Sequence, residues 1–201
     1  MADVLLIGGT SHTGKSTAAE AVAARIGGRV VSTDRLGRHP GRPWRITDDG
    51  GVHGHLREHF LRRTGQQALQ DLLDHYDQLW PSVAAVVAEH RASCAQPLVL
   101  EGSGLLPAHV VDSGWLGQTG QALWLTSPAD RRRGLIRAAS RYDRLDVQDQ
   151  LIIDRFVDRS ELYDRWMRRE LERLGLAVSD SSDLAALVPA IFQQGRVVDE
   201  A

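Results

Sequence analysis

Gly9-Thr10-Ser11-His12-Thr13-Gly14-Lys15-Ser16 fits the spacing G-x-x-x-x-G-K-[ST], the P-loop pattern. The apolar run Val4-Leu5-Leu6-Ile7 leads into it, and the Ala-rich stretch Ser16–Ile26 follows with a helical pattern. A strand before and a helix after is the setting in which such a loop wraps phosphates. Its glycines let the backbone approach closely, successive N–H groups turn inward, and the helix N-terminus adds partial positive charge. Lys15 is the only lysine in the chain; every other Lys/Arg position is arginine. A sequence that writes its cations as Arg keeps Lys where a compact ammonium on a flexible stem is wanted. The reading is nucleoside triphosphate binding by Gly9, Thr10, Ser11, His12, Thr13, Gly14, Lys15, Ser16 and Thr17. Lys15 would bridge the β- and γ-phosphates and the Ser16 hydroxyl would ligate Mg²⁺. His12 is read as shaping the loop.

The chain has 201 residues, 42% hydrophobic and 25% charged, with a net charge of −2. That suits one α/β domain with a sizeable core, spanning 1–201. No global basic field argues for nucleic acid, although local Arg clusters can bind phosphates. One cysteine, Cys94, excludes an internal disulfide and is read as an ordinary packed side chain. No basic leader precedes Val4 and no apolar run reaches the roughly 18 residues of a membrane span. A cytoplasmic protein that does not engage the membrane is expected.

Working outward, five short apolar runs read as strands buried on both faces: Val4–Ile7, Arg29–Ser32, Pro97–Glu101, Ala122–Thr126 and Leu176–Ser179. Helical stretches between them give the rhythm of a parallel sheet. Gly27-Gly28 stop the first helix as a C-cap pair. Residues 35–52 are rich in Gly and Pro and read as a long functional loop. His53–His90 is mostly helical, with Pro81 starting a new helix or kinking the old one. Pro128–Arg141, Val147–Arg173 and Ser182–Gln194 complete the helices, the last capped by Ser181 or Ser182.

Glu101 ends the third strand, where an acid can hold Mg²⁺ or its water, and Gly102-Ser103-Gly104 lets the chain pass close to the site. Asp34 lies at the carboxyl end of the second strand, the edge at which open α/β sheets bind ligands. A carboxylate there can orient an acceptor hydroxyl and accept its proton, so Asp34 is the general-base candidate. Arg35, Arg38, Arg42 and Arg45 follow; they suit an anionic acceptor or a solvated loop. Arg35, Arg38 and Gly102 join Asp34 as candidate acceptor contacts. His53, His55 and His59 resemble a metal cluster but lack a completing ligand set, so a substrate or surface role is read instead. Arg133, Arg137 and Arg141 repeat at i, i+4, i+8 and share a helix face. They read as a lid over residues 127–147 that stabilises the transferred phosphoryl group, or as an exposed stripe paired with Asp130, Asp143 and Asp146. Arg155 and Arg159 are weaker candidates for the same task. Val178–Ser182 lines an adenine pocket or caps a helix. Trp124, inside a strand, is a core residue; Trp115 and Trp166 fit core or interface.

Together these motifs resemble the P-loop small-molecule kinases of the nucleoside-monophosphate-kinase-like group. Ile7–Ser11, Ser32-Thr33-Asp34 and Leu100–Pro107 look most like 2-phosphoglycerate kinases and related ATP-binding proteins. The resemblance implies a three-layer α/β fold with a parallel sheet in order 2-3-1-4-5 and a helical lid. Residues 35–93 would be the acceptor-binding insertion. The implied activity is ATP- and Mg²⁺-dependent phosphoryl transfer to a hydroxyl of a small anionic metabolite. Two alternatives stand beside it: a nucleoside, nucleotide or polynucleotide kinase, and a nucleotide-controlled binding module without an acceptor. Oligomeric state is left open.

Overall fold

The structure, a computed structural model, describes residues 4–37, 54–93, 96–117 and 120–180. Strands β1 (Val4–Gly9), β2 (Arg29–Ser32), β3 (Leu98–Glu101), β4 (Gly120–Thr126) and β5 (Val178–Asp180) form one parallel sheet in the order β2-β3-β1-β4-β5. The helices are α1 (Lys15–Ile26), α2 (Gly54–Arg62), α3 (Gly65–Ser93), α4 (Pro107–Asp112), α5 (Ala129–Ala139) and α6 (Val147–Arg173). Short 3₁₀ turns occupy Thr33–Arg35 and Tyr142–Arg144. The fold class, sheet order and parallel pairing match the expectation from sequence.

Alternation along β1 explains the layers. Leu5 and Ile7 pack with Val99, Leu125 and the small face of α1, Ala18, Ala19, Val22 and Ala23. Val4 and Leu6 point the other way, into a larger core with Leu98, Leu100, Trp124, Leu72, Tyr76, Val83, Val87, Tyr163 and Met167. Sheet and helices on both sides thereby exclude water from the central strands. A third cluster, built on Leu56, Phe60, Ile136, Ile152, Ile153 and Phe156, ties α2, α5 and α6 together beyond the sheet.

Three expectations need correction. β2 and β5 are not buried on both faces: Val30 is 37% and Val178 42% exposed, because each is an edge strand with one neighbour. The last strand is Val178–Asp180 rather than Leu176–Ser179. The end of α6 takes Leu176 first: Gly175 adopts φ 67°, its N–H donates to Glu172 O, and the Leu176 N–H donates to Leu171 O at 2.9 Å. This Schellman closure consumes the amide a strand would need. The helical stretch 53–90 breaks at Arg63-Thr64, not at Pro81, which lies inside α3. Thr64 and Gln67 form a reciprocal capping box, Gln67 N donating to Thr64 Oγ1 (3.2 Å) and Thr64 N to Gln67 Oε1 (2.9 Å). Cys94, Arg38, Arg42, Arg45, His53 and the expected helix Ser182–Gln194 lie outside the described residues, as does the side chain of His55.

Trp124, 1% exposed, is the core residue its strand position implied, and Trp115 is buried at 7%. The Trp124 Nε1–H donates to Leu105 O at 3.0 Å, anchoring the segment that follows Gly104. Trp124→Phe removes that donor from a buried carbonyl and leaves a void. The expected loss is about 2–3 kcal/mol, read as a lower urea midpoint with an unchanged slope. An unchanged midpoint would show that the anchor carries no stability.

Candidate active site

β1 delivers the chain to Gly9 and α1 starts at Lys15, so the P-loop bridges strand and helix as its motif requires. Thr10 and Thr13 are both 1% exposed, and Thr13 Oγ1 donates to Thr10 O at 2.9 Å. His12 (φ 59°) and Gly14 (φ 75°) take left-handed backbone, the conformation that turns successive amides to one side. Lys15 is buried at 8% exposure, and its Nζ donates to Thr10 O at 2.6 Å. The ammonium is held across the loop rather than in solvent.

Parallel pairing sets Ile7 opposite Glu101 and Ser32 opposite Glu101 on its other side. Glu101 is 4% exposed, and Ser16 Oγ donates to its Oε1 at 3.3 Å. Two hard oxygens at this separation fit adjacent corners of a Mg²⁺ octahedron, whose ligands lie about 2.1 Å from the ion and so about 3 Å apart. Among the described residues no group of three His, Cys, Asp or Glu surrounds a common point. The remaining corners would fall to water and phosphate oxygens, the usual Mg²⁺ arrangement. Ser16 and Glu101 are thus suited to the metal role their sequence positions suggested.

Asp34 sits in the 3₁₀ turn just past β2, half-exposed, with Arg35 exposed beside it. It faces α3 and α6. The Asp34 carboxylate acts on His75, where it partly offsets the burial that lowers the imidazole pKa. Burial pushes the Tyr163 phenol well up, and Tyr76 and Asp34 add to the rise. The Tyr163 hydroxyl donates to Ser103 O at 2.6 Å. Gly102, at φ 150°, lies so close under Thr33 that a Cβ there would fall 1.8 Å from Thr33 Oγ1. A Cβ on Gly104 would stand 3.3 Å from Tyr76. The loop Gly102-Ser103-Gly104 is therefore threaded between Thr33 and the tyrosine pair, Tyr76 and Tyr163, whose centroids are 5.8 Å apart. Thr33 was read from sequence only as part of the Ser32-Thr33-Asp34 motif, and His75, Tyr76 and Tyr163 were not singled out. The available signal was spacing: Arg159 and Tyr163 share one face of α6 at i, i+4.

The arginine stripe packs on α6. Arg133 Nη2 donates to Glu161 Oε1 at 2.7 Å, with Asp130 at 3.9 Å. Arg137 Nη2 donates to Asp154 Oδ1 at 2.8 Å and stacks 4.5 Å over Tyr142. Of the three carboxylates read from sequence as partners, Asp130 is the one that pairs with Arg133; Glu161 and Asp154, far along the chain, do the rest. Arg141 does not share the helix face expected for it: α5 ends at Ala139, and Arg141 is exposed at φ 52° in the turn that follows. Arg132, not singled out from sequence, is 2% exposed and donates to Ser127 O at 2.8 Å. His59 stands 3.8 Å from Asp71 and edge-on to Phe60.

No protein-family model matches this sequence, and no curated protein matches it. Solved structures do resemble it along almost their whole length. A deoxyadenosine kinase from M. mycoides with bound dATP is 10% identical, with 95% of this chain and 97% of that chain covered and a TM-score of 0.50. A gluconokinase from Sinorhizobium meliloti 1021 is 17% identical over 96% and 97% of the two chains, TM-score 0.43. A shikimate kinase from Acinetobacter baumannii in complex with shikimate is 17% identical over 98% and 96%, TM-score 0.43. At such identities the likeness is one of fold. The likeness to the deoxyadenosine kinase agrees with the α/β fold and five-stranded parallel sheet described above. No helix among the described residues is long and apolar enough to cross a membrane.

Ser16→Ala and Glu101→Gln should each weaken ADP binding in Mg²⁺ by about tenfold or more while leaving Mg²⁺-free binding unchanged, as measured by calorimetry. Equal losses with and without metal would remove both from the metal site. The folded state also lowers the pKa of His59 and of His75 below the ordinary imidazole value, burial being the main cause in each. An unfolded histidine takes up its proton near pH 6.5, so acidification below that value favours the unfolded chain. Melting temperature should fall between pH 7 and pH 5, less steeply in His75→Gln; identical slopes would dismiss His75 as a contributor.

Proposed function

We propose that this chain is an ATP- and Mg²⁺-dependent phosphotransferase that moves the γ-phosphoryl group to a hydroxyl of a small anionic metabolite. The observation that carries the reading is the meeting of Ser16 and Glu101 at one sheet edge, with Asp34 on the adjoining strand end. A nucleotide-binding module needs the first pair; the acid beyond it is what an acceptor hydroxyl requires.

The P-loop amides and Lys15 hold the triphosphate, with the ammonium moving from Thr10 O to the phosphate oxygens. Ser16 and Glu101 would hold the metal. When bound, Mg²⁺ neutralises charge on the β- and γ-oxygens. Asp34 accepts a hydrogen bond from the acceptor hydroxyl, aligns its oxygen with the γ-phosphorus and takes the proton as the new O–P bond forms and the β–γ bridge breaks. The β-phosphate leaves as part of ADP. Gly102, packed under Thr33, sets the loop below the acceptor edge, and Arg35 and Arg38 serve as further acceptor contacts. Arg133, Arg137 and Arg141 supply cations to the transferred group when the 127–147 segment closes, exchanging Glu161 and Asp154 for phosphate oxygens.

The test is ADP release from Mg²⁺-ATP against phosphoglycerates, sugars, sugar acids, nucleosides and nucleotides. Acceptor-stimulated release is expected, abolished in Lys15→Ala and reduced by about 10²–10⁴-fold in Asp34→Asn, with ATP affinity of Asp34→Asn within about threefold of wild type. Full turnover in Asp34→Asn would remove the base. Tight ATP binding that no acceptor stimulates would favour the binding-module reading.

A further inference from the structure

Arg159 lies one helical turn before Tyr163 on α6 and is 2% exposed. Its surroundings are apolar: the guanidinium carbon is 4.6 Å from the centroid of Phe156 and 5.2 Å from that of Phe60. Nε and Nη1 are buried, and neither has a hydrogen-bond partner among the described residues. No carboxylate pairs with it there either. Its neighbours are treated differently. Arg132, as deeply buried, has Ser127 O and lies 3.5 Å from Asp164. Arg57 has Asp149, Arg133 has Glu161 and Arg137 has Asp154.

A cation taken out of water without an anion is a large penalty, and aromatic faces return only part of it. Burial holds the guanidinium pKa down to about 10, so it is still charged at neutral pH. The guanidinium can meet a carboxylate or phosphate at two points, through Nη2 together with either Nε or Nη1, and Nε and Nη1 are the atoms left without partners among the described residues.

The place of Arg159 says which oxyanion. Tyr76 lies within its electrostatic reach. Tyr76 packs on Tyr163, and Tyr163 holds Ser103 O at 2.6 Å in the loop beside Thr33 and Asp34. The nucleotide phosphates belong to the P-loop, between β1 and α1 on the other side of Glu101. Arg159 belongs instead to the α2, α3 and α6 side, behind the acceptor edge.

We propose that Arg159 is the anion-recognition residue of the acceptor pocket, its guanidinium taking the carboxylate or phosphate of the acceptor against Phe60 and Phe156. The proposal rests on the kinase reading and deepens it. The acceptor then carries an oxyanion separated from its reactive hydroxyl, and neutral polyols are poor substrates.

The experiment compares glycerol, glycerate and glycerol 3-phosphate, one skeleton with no anion, a carboxylate or a phosphate. Wild type, Arg159→Met and Arg159→Lys are melted with each, and acceptor-stimulated ADP release is measured in parallel. Without ligand, Arg159→Met should melt at or above wild type, because an apolar side chain of similar length removes an uncompensated charge. One or both anionic probes should raise the wild-type melting temperature and glycerol should not; which of them acts tells carboxylate from phosphate. The increment should vanish in Arg159→Met and survive in part in Arg159→Lys. Any P-loop contribution is common to all three proteins and cancels. With the best anionic acceptor, KM should rise by roughly thirtyfold or more in Arg159→Met with kcat little changed.

Equal increments in wild type and Arg159→Met, or none in wild type, would overturn the proposal. So would a lower ligand-free melting temperature of Arg159→Met, which would make Arg159 a structural cation held by its two phenyl rings. Arg159-dependent increments in a protein that transfers no phosphoryl group would keep the anion site and remove the kinase. Acceptor-stimulated turnover indifferent to Arg159→Met would do the reverse.

Discussion

Ile7 and Glu101 stand opposite each other in the β1–β3 pairing, and the Gly102 N–H donates to Ile7 O at 3.1 Å just beyond it. The site is built outward from this contact. It fixes where β3 ends relative to the P-loop, and so brings a carboxylate from residue 101 to the hydroxyl of residue 16. Because β2 pairs with β3 in register, the same contact fixes Thr33 and Asp34 as the next residues past the edge. A slip of one residue along β3 would turn Glu101 to the opposite face of the sheet. The fully buried run Leu98–Leu100 prevents it, since its side chains alternate between two cores.

Gly102 converts register into closeness. With Thr33 seated where a Cβ would be, the loop after β3 lies directly under the turn after β2. Tyr163 holds that loop from α6 through Ser103, and Trp124 holds its continuation from β4 through Leu105. Elements widely separated in sequence thereby clamp the four consecutive residues 102–105. A catalytic edge needs such support, because small displacements of the reacting groups cost rate steeply.

Among the described residues, electrostatics sets Arg159 apart from Arg133 and Arg137 on α5. These two are matched by carboxylates of α6, which joins the two helices and leaves their charges neutralised. Arg159 is set among phenyl rings instead. Helical spacing makes no distinction between them, since arginines four residues apart occur on both helices. The difference comes from what α2 and α3 place opposite, and these belong to a distant part of the chain.

While the sheet order came only from the resemblance to P-loop kinases, the sequence by itself determined the P-loop, the parallel sheet, the acids at positions 34 and 101, and the core role of Trp124. These are written in local spacing and in apolar runs, which hydrogen-bond geometry and burial translate directly into strand, loop and helix. The ends of elements were less legible: β5 moved because the α6 C-terminus claimed the Leu176 amide first, and the α2–α3 break followed a capping box within an otherwise continuous helical pattern. Only the tertiary structure decided which arginines are paired, and that Thr33, His75, Tyr76 and Tyr163 gather around Asp34 and the Gly102–Gly104 loop. Burial and charge compensation are properties of side chains brought together from remote positions, and no single helix or strand carries them.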